Sequence, residues 1–413
     1  MTLPTKTFSQ IRQALLSRQE IALIDVREED VFAQAHPLFA TNISSGCIAV
    51  DVLQRIPRQD TTIVLYDDGE GRVEKAACVL LQLGYSQVSL LEGGLAGWRA
   101  AGGELFKDVN VPSKAFGELV AAQRCTPSLS AQDVKALLDC RANVVVLDVR
   151  RFDEYHTMSI PSGISVPGAE LVLRAAALAP NPATRIIVNC AGRTRSIIGA
   201  QSLLNAGIAN PVSALRNGTI GWTLAGFTLE QGACRRGTDV AEMQQTLSAQ
   251  RARAVAERAG VKGVIPNGLL RFLAETGRTT YRFDVRTPEE YSAGHLPGFA
   301  SVPGGQLVQE TDVSMPVRGA RVVLADLDGV RANMTGSWLA QMGWEVWVLE
   351  GATRLDFSEV GTTPAPSPPS VHRYRRPYEG TDNPSEAMQA YLDWEYGLVA
   401  QLQRDGTHGF KVI

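Results

Sequence analysis

The stretch VNCAGRTR, residues 188–195, places one thiol, Cys190, directly after an apolar run and ahead of two arginines, Arg193 and Arg195. The residues that follow, SIIGAQSLL, carry apolar side chains at helical spacing. A cysteine between a strand end and a helix start lies where the N–H groups of a tight turn converge into an anion-binding nest. The positive end of the helix points at the same place. A free thiol of pKa about 8.5 is only roughly 3% thiolate at pH 7. The nest, the helix end and the two guanidinium groups are expected to lower the pKa of Cys190 and make the thiolate its main form. The chemistry this predicts is nucleophilic attack by Cys190. The N–H groups of Ala191, Gly192 and Thr194 would line the nest. Arg195 would hold the loop and stabilise the anion, and Arg193 would bind an anionic donor.

The elements that must deliver this loop come from a repeat. ALIDVREEDVF at residue 22, VVLDVRRFDEY at residue 145 and YRFDVRTPEEY at residue 281 share an apolar run ending in Asp-Val-Arg. Carrying the same intervals forward aligns TTIVLYDDGEGR, TRIIVNCAGRTR and ARVVLADLDGVR, each a strand-like run followed by a loop ending in arginine. A helical segment and a further short strand follow every one of these loops. Two matching signals at common offsets identify three copies of one unit. Strands alternating with helices predict an α/β architecture on parallel sheets, with ligands at the carboxyl ends of the strands. KAFGELVAAQRC and DVAEMQQTLSAQRARAVAERAG read as connecting helices. PAPSPPS, from Pro364, reads as a linker. In the tail, Met388, Tyr391, Leu392, Val399 and Leu402 mark a helix expected to pack back onto the body.

Composition narrows the partners. The chain has 413 residues, a net charge of −3, 45% hydrophobic and 20% charged residues. That balance gives no reason to expect nucleic acid or an anionic membrane as partner. No apolar run reaches membrane-span length and the first ten residues lack an apolar signal core, so the chain reads as cytoplasmic. The six cysteines show no CxxC spacing. Neither a metal site nor a disulfide framework is expected, and the thiols should be reduced.

The repeated unit resembles a rhodanese domain. The marks are DVR at an early strand end, EEYSAGHLPG in the third copy and the cysteine-to-arginine loop CAGRTR in the second. LEGGLAGW in the first copy and, more loosely, LRNGTIGW in the second match the family's glycine-tryptophan element. The resemblance implies three tandem rhodanese-like domains, over residues 1–107, 126–236 and 260–357, with a helical tail over 372–413. It also implies a sulfurtransferase acting through a Cys190 persulfide, with no cofactor. The donor would be a small anionic thiosulfate or thiosulfonate. The acceptor would be cyanide in vitro, or a thiol or sulfur carrier in the cell. A persulfide-binding scaffold is a second reading. A cysteine-dependent phosphatase or arsenate reductase is a third, although those loops carry one residue more between cysteine and arginine, and Ser196 stands where their arginine would fall.

Asp67 and Asp326 occupy the position of Cys190 in the other copies. Their carboxylates are expected to fill the nest and pair with Arg72 or Arg331, leaving both copies without a nucleophile. Asp148 and Arg150 recur in every copy and read as a structural ion pair or second support of the site. His36 and His295 align with Ser159, which argues against a catalytic histidine. Trp222 is expected to pack as core beside the loop, and Cys78 to lie in the core. Cys234 reads as a solvated loop thiol, and Cys47, Cys125 and Cys140 have no motif around them.

Overall fold

The computed structural model describes residues 3–362 and 372–413; the PAPSPPS segment read as a linker lies outside the described residues. Three five-stranded sheets, all parallel, carry the fold. Numbered along the chain, the strands of each sheet lie in the order 1-5-4-2-3. In the second unit they are Ser128–Leu129, Val144–Asp148, Ile164–Ser165, Arg185–Asn189 and Val212–Leu215. The fourth strand is a near-continuous apolar run because helices cover both faces of the sheet. Ile186, Ile187 and Val188 have no solvent exposure. Its register with the second strand sets Asp148 opposite Asn189, so Cys190 leaves the sheet beside the Asp-Val-Arg end.

The recurrence of Asp-Val-Arg has a local cause. Arg150 Nε and Nη2 donate to the two Asp148 oxygens at 2.9 and 2.8 Å, and Nη2 also donates to the Met158 carbonyl. Asp25–Arg27 and Asp284–Arg286 repeat the pair, with Ala35 and Gly294 supplying the carbonyl. A planar guanidinium fork suits this geometry, and it ties the strand end to the chain that leaves the following helix.

Two connecting helices and the C-terminal helix join the units. The first, Val111–Arg124, is buried from Val111 to Val120. Its Gly117 touches the helix after the cysteine loop: a Cβ there would lie 2.8 Å from Thr194 Cγ2. The second, Glu242–Arg258, packs on helices Leu171–Leu178 and Arg331–Gln341. Trp338 donates to Ser202 across the boundary between the second and third units. The C-terminal helix, Ser385–Asp405, buries Met388, Tyr391, Leu392, Leu398 and Leu402. Each such side chain contributes roughly 1.5–3 kcal/mol, enough to hold this helix on the body. Cys78 departs from the sequence reading: it lies on the outer face of helix Val73–Gln82 and is exposed, while Ala76, Ala77 and Leu80 of that helix face the core. No helix among the described residues is long and apolar enough to cross a membrane.

Candidate active site

Cys190 follows the fourth strand of the second unit, and the helix after the loop, Thr194–Asn205, begins only four residues later. The glycine-tryptophan element pins the turn. Thr219 N–H donates to the Cys190 carbonyl and Ile220 N–H to that of Ala191. This approach requires glycine at position 218, whose φ is +53° and where a Cβ would lie 2.3 Å from the Cys190 carbonyl oxygen. Trp222, fully buried, anchors the short helix from the other side, against Val146, Ile187 and Leu215. Its indole donates to the Thr228 carbonyl. The loop's shape is thus imposed from outside, before any charge is considered.

The thiol is not the readily ionised group expected from its neighbours in sequence. Cys190 is 1% exposed, and burial pushes its pKa up. The Arg195 charge and the hydroxyl and N–H of Ser196 act in the opposite direction without reversing it. The cause is desolvation. Ala191 packs with Ile220, Tyr378, Met388, Tyr391 and Leu392, so the C-terminal segment roofs the loop. The Cys190 Sγ lies 3.4 Å from Ser196 Oγ, which itself donates to the Arg193 carbonyl.

The two arginines separate. Arg195 Nη1 and Nη2 donate to the carboxylate of Glu154 at 2.7 and 2.9 Å. Although burial opposes ionisation of Glu154, the Arg195 charge and its hydrogen bonds hold this carboxyl down at about 2. The expectation that Arg193 offers a free guanidinium to a donor meets a different geometry. Arg193 Nε and Nη2 both donate to Glu118 of the first connecting helix at 2.7 Å. Its Nη1 donates to Asn217 and to the Tyr396 hydroxyl, and its guanidinium lies 3.8 Å from the Tyr396 ring centre. Four of its donor contacts are therefore taken, and the side chain ties the loop to two helices.

In the other units the aspartates do fill the nest. Asp67 accepts from Gly69 and Arg72 N–H at 3.1 and 2.7 Å; Asp326 accepts from Gly329 and Ala332 N–H at 3.0 and 2.8 Å. The expected pairing of these carboxylates with the loop arginines is corrected. The side chain of Arg72 goes to Glu28, and that of Arg331 to Asp328 and Glu290. All three loop arginines thus bind a glutamate near the helix that follows Asp-Val-Arg. Backbone N–H groups take the place of the guanidinium at both aspartates, and burial with Asp328 alongside raises the Asp326 carboxyl to about 8.

Glu118, Glu154 and Glu395 complete the surroundings of the loop and were not singled out from sequence, and Ser196 was noted only for standing where a phosphatase loop's arginine would fall. Glu154 and Glu290 hold equivalent positions after Asp-Val-Arg, which was a readable signal. Glu395 interrupts the apolar stripe of the tail helix, four residues after Tyr391, and that misfit was readable too. Cys234 is exposed with Sγ 3.6 Å from His156 Nδ1; Cys47, Cys125 and Cys140 are also exposed. A cleft of about 610 Å³ opens where the three units and the tail meet, and Asn110, Arg150, Glu154, Gln309 and Tyr378 help line it.

Fold and site together define a tandem α/β protein in which one strand-end loop of three presents a thiol where the other two present an aspartate. The family model of the rhodanese-like domain matches residues 9–101, 130–225 and 269–354. The chain belongs to the rhodanese-like family. It is similar to a crystal structure of thiosulfate sulfurtransferase from Pseudomonas aeruginosa, at 53% identity over 100% of both chains and a TM-score of 0.98. It also resembles the uncharacterized protein YibN of Escherichia coli strain K12, at 26% identity over 85 residues. That match spans 20% of this chain and 59% of YibN.

Proposed function

We propose that this chain is a rhodanese-type sulfurtransferase that moves a sulfane sulfur through a persulfide on Cys190. The observation that carries the reading is the single nucleophile: the same loop exists three times, and only the second holds a thiol, beside the Arg195 charge. The full-length likeness to a thiosulfate sulfurtransferase supports the class and points to thiosulfate as donor.

The reaction proceeds as double displacement. Once its roof is displaced, Cys190 gives up its proton to solvent and its thiolate attacks the outer sulfur of thiosulfate. The donor S–S bond breaks, its electron pair leaves on sulfite, and Cys190–S–S⁻ forms in the nest. Cyanide or a cellular thiolate then takes the outer sulfur and returns Cys190 to thiolate. The nest N–H groups of Ala191, Gly192 and Thr194 and the fixed Arg195 charge stabilise the persulfide anion without reorganising. Asp148 and Arg150 hold the strand end that aims the loop. At 1% exposure Cys190 is out of reach of a thiosulfate ion until its roof is displaced. The cleft bordered by Glu154 and Tyr378 is the approach we assign to the donor.

A turnover assay with thiosulfate and cyanide, run beside an aryl-phosphate assay, tests the reading. Thiocyanate formation that vanishes in Cys190→Ser supports it. Phosphate release without thiocyanate, or a stoichiometric persulfide that no acceptor discharges, overturns it in favour of a phosphatase or a persulfide-binding scaffold.

A further inference from the structure

The C-terminal helix brings a carboxyl to the wall of the nest. Glu395 has no solvent exposure. Its Oε1 accepts from the Tyr391 hydroxyl at 2.9 Å and from Thr194 Oγ1 at 3.4 Å. Its Oε2 has no hydrogen-bond partner among the described residues. That oxygen rests on the loop itself, since a Cβ built on Gly192 would lie 3.2 Å from it. One residue further, Tyr396 holds Arg193, so the same helix both orders the loop and presents the acid. A buried carboxylate with an unpaired oxygen is costly, whereas the protonated acid leaves a hydroxyl facing the loop.

The surroundings do not supply a free cation for it. Lys114 of the connecting helix is paired with Asp108 at 2.6 Å, and Arg193 with Glu118. The groups facing Glu395 are Lys114 and Glu118 from that helix and Arg193 and Cys190 from the loop. Tyr391 faces it from its own helix, with Tyr378 stacked edge-on to Tyr391. Burial raises the Glu395 carboxyl to about 7, and its charge in turn pushes the Cys190 thiol up.

Resting on the reading of Cys190 as the sulfur carrier, we propose that Glu395 is a positioning residue of the sulfur-transfer site. As a neutral acid it closes the nest beside Gly192 and lets the loop hold a persulfide anion; as a carboxylate it repels that anion and the anionic donor. No bond to Glu395 forms or breaks during transfer.

The test is the pH profile of kcat/KM for thiosulfate in the full chain, with thermal melts of each variant. Because the Cys190 thiol is neutral near pH 7, kcat/KM is expected to rise with pH as thiolate forms, and in wild type to level off once Glu395 ionises. Glu395→Gln, which cannot ionise, keeps rising, and Glu395→Asp levels off as wild type does. A levelling that persists in a folded Glu395→Gln, or an equal loss at every pH, overturns the proposal. Infrared difference spectra of wild type before and after thiosulfate give a readout that needs no variant at Glu395. A protonated-carboxyl band that shifts on loading, and not in Cys190→Ser, supports the proposal; its absence contradicts it. If wild type takes up no sulfur at any pH, the reading of Cys190 fails first and removes the basis for Glu395. Sulfur transfer with an unaltered profile in Glu395→Gln fails Glu395 alone.

Discussion

In the first and third units an aspartate side chain accepts the loop N–H groups, with burial and Asp328 raising the Asp326 carboxyl to about 8, while in the second a neutral, roofed thiol stands at the same point. Much else matches. All three sheets have one strand order, all three keep the Asp-Arg pair at the second strand end, and all three loop arginines bind a glutamate. In the first unit, as in the second, the loop is pinned by a glycine, Gly94, whose Cβ would strike the Asp67 carbonyl. The comparison separates scaffold from chemistry. The nest is a property of the backbone and serves any anion, including one supplied by its own side chain. Reactivity then depends on which side chain enters the nest and on what covers it.

The largest effect should come from the thiol. Cys190→Ser is expected to cut turnover by about three orders of magnitude or more, with Cys78→Ser and Cys234→Ser retaining most of it. Nearly as sharp is the converse experiment. Asp67→Cys or Asp326→Cys in a Cys190→Ser background should give little or no turnover, because Glu70 and Gly329 replace Arg193 and the tail helix roofs only the second loop. Robust transfer by either variant would show that the nucleophile alone distinguishes the units.

Arg195→Ala strands the Glu154 carboxylate and removes the cation acting on Cys190. It should cost about 2–3 kcal/mol of stability and lower kcat/KM roughly ten- to a hundredfold for every donor. Arg193→Ala strands Glu118 instead. Melting temperature should fall, and thiosulfate and a neutral organic trisulfide should lose less than about tenfold and equally. A loss confined to thiosulfate would restore a donor-binding role for Arg193. The smallest effect is one of pH. With its carboxyl depressed from the usual 4.5 to about 2, Glu154 adds stability that is fully present above pH 4.5. That stability fades as pH falls toward 2. Glu154→Gln should therefore be less stable than wild type in urea titrations at neutral pH, and the difference should close in that acid window.

The three-unit α/β architecture was legible because each unit repeats its apolar runs and loops at matching intervals. Cys190 was legible because a strand ran straight into it. Its low accessibility was not, since the roof comes from Tyr378, Met388, Tyr391 and Leu392, nearly two hundred residues downstream in sequence. Arg193 shows the same limit. Its charge invited a ligand, but the carboxylate that takes it lies on a connecting helix whose docking depends on a glycine contact, Gly117 on Thr194. Local pattern marks the strand end and its thiol; long-range packing decides which charges remain available.

The central claim is that one loop of three carries the sulfur. It is tested most directly by peptide mass spectrometry of the full chain after exposure to thiosulfate, before and after addition of cyanide. The peptide containing Cys190 is expected to gain the mass of one sulfur atom and to lose it to cyanide. Peptides containing Cys47, Cys78, Cys125, Cys140 or Cys234 should carry no obligatory sulfur. Turnover with Cys190 unmodified, or a required sulfur on Cys234, would contradict it.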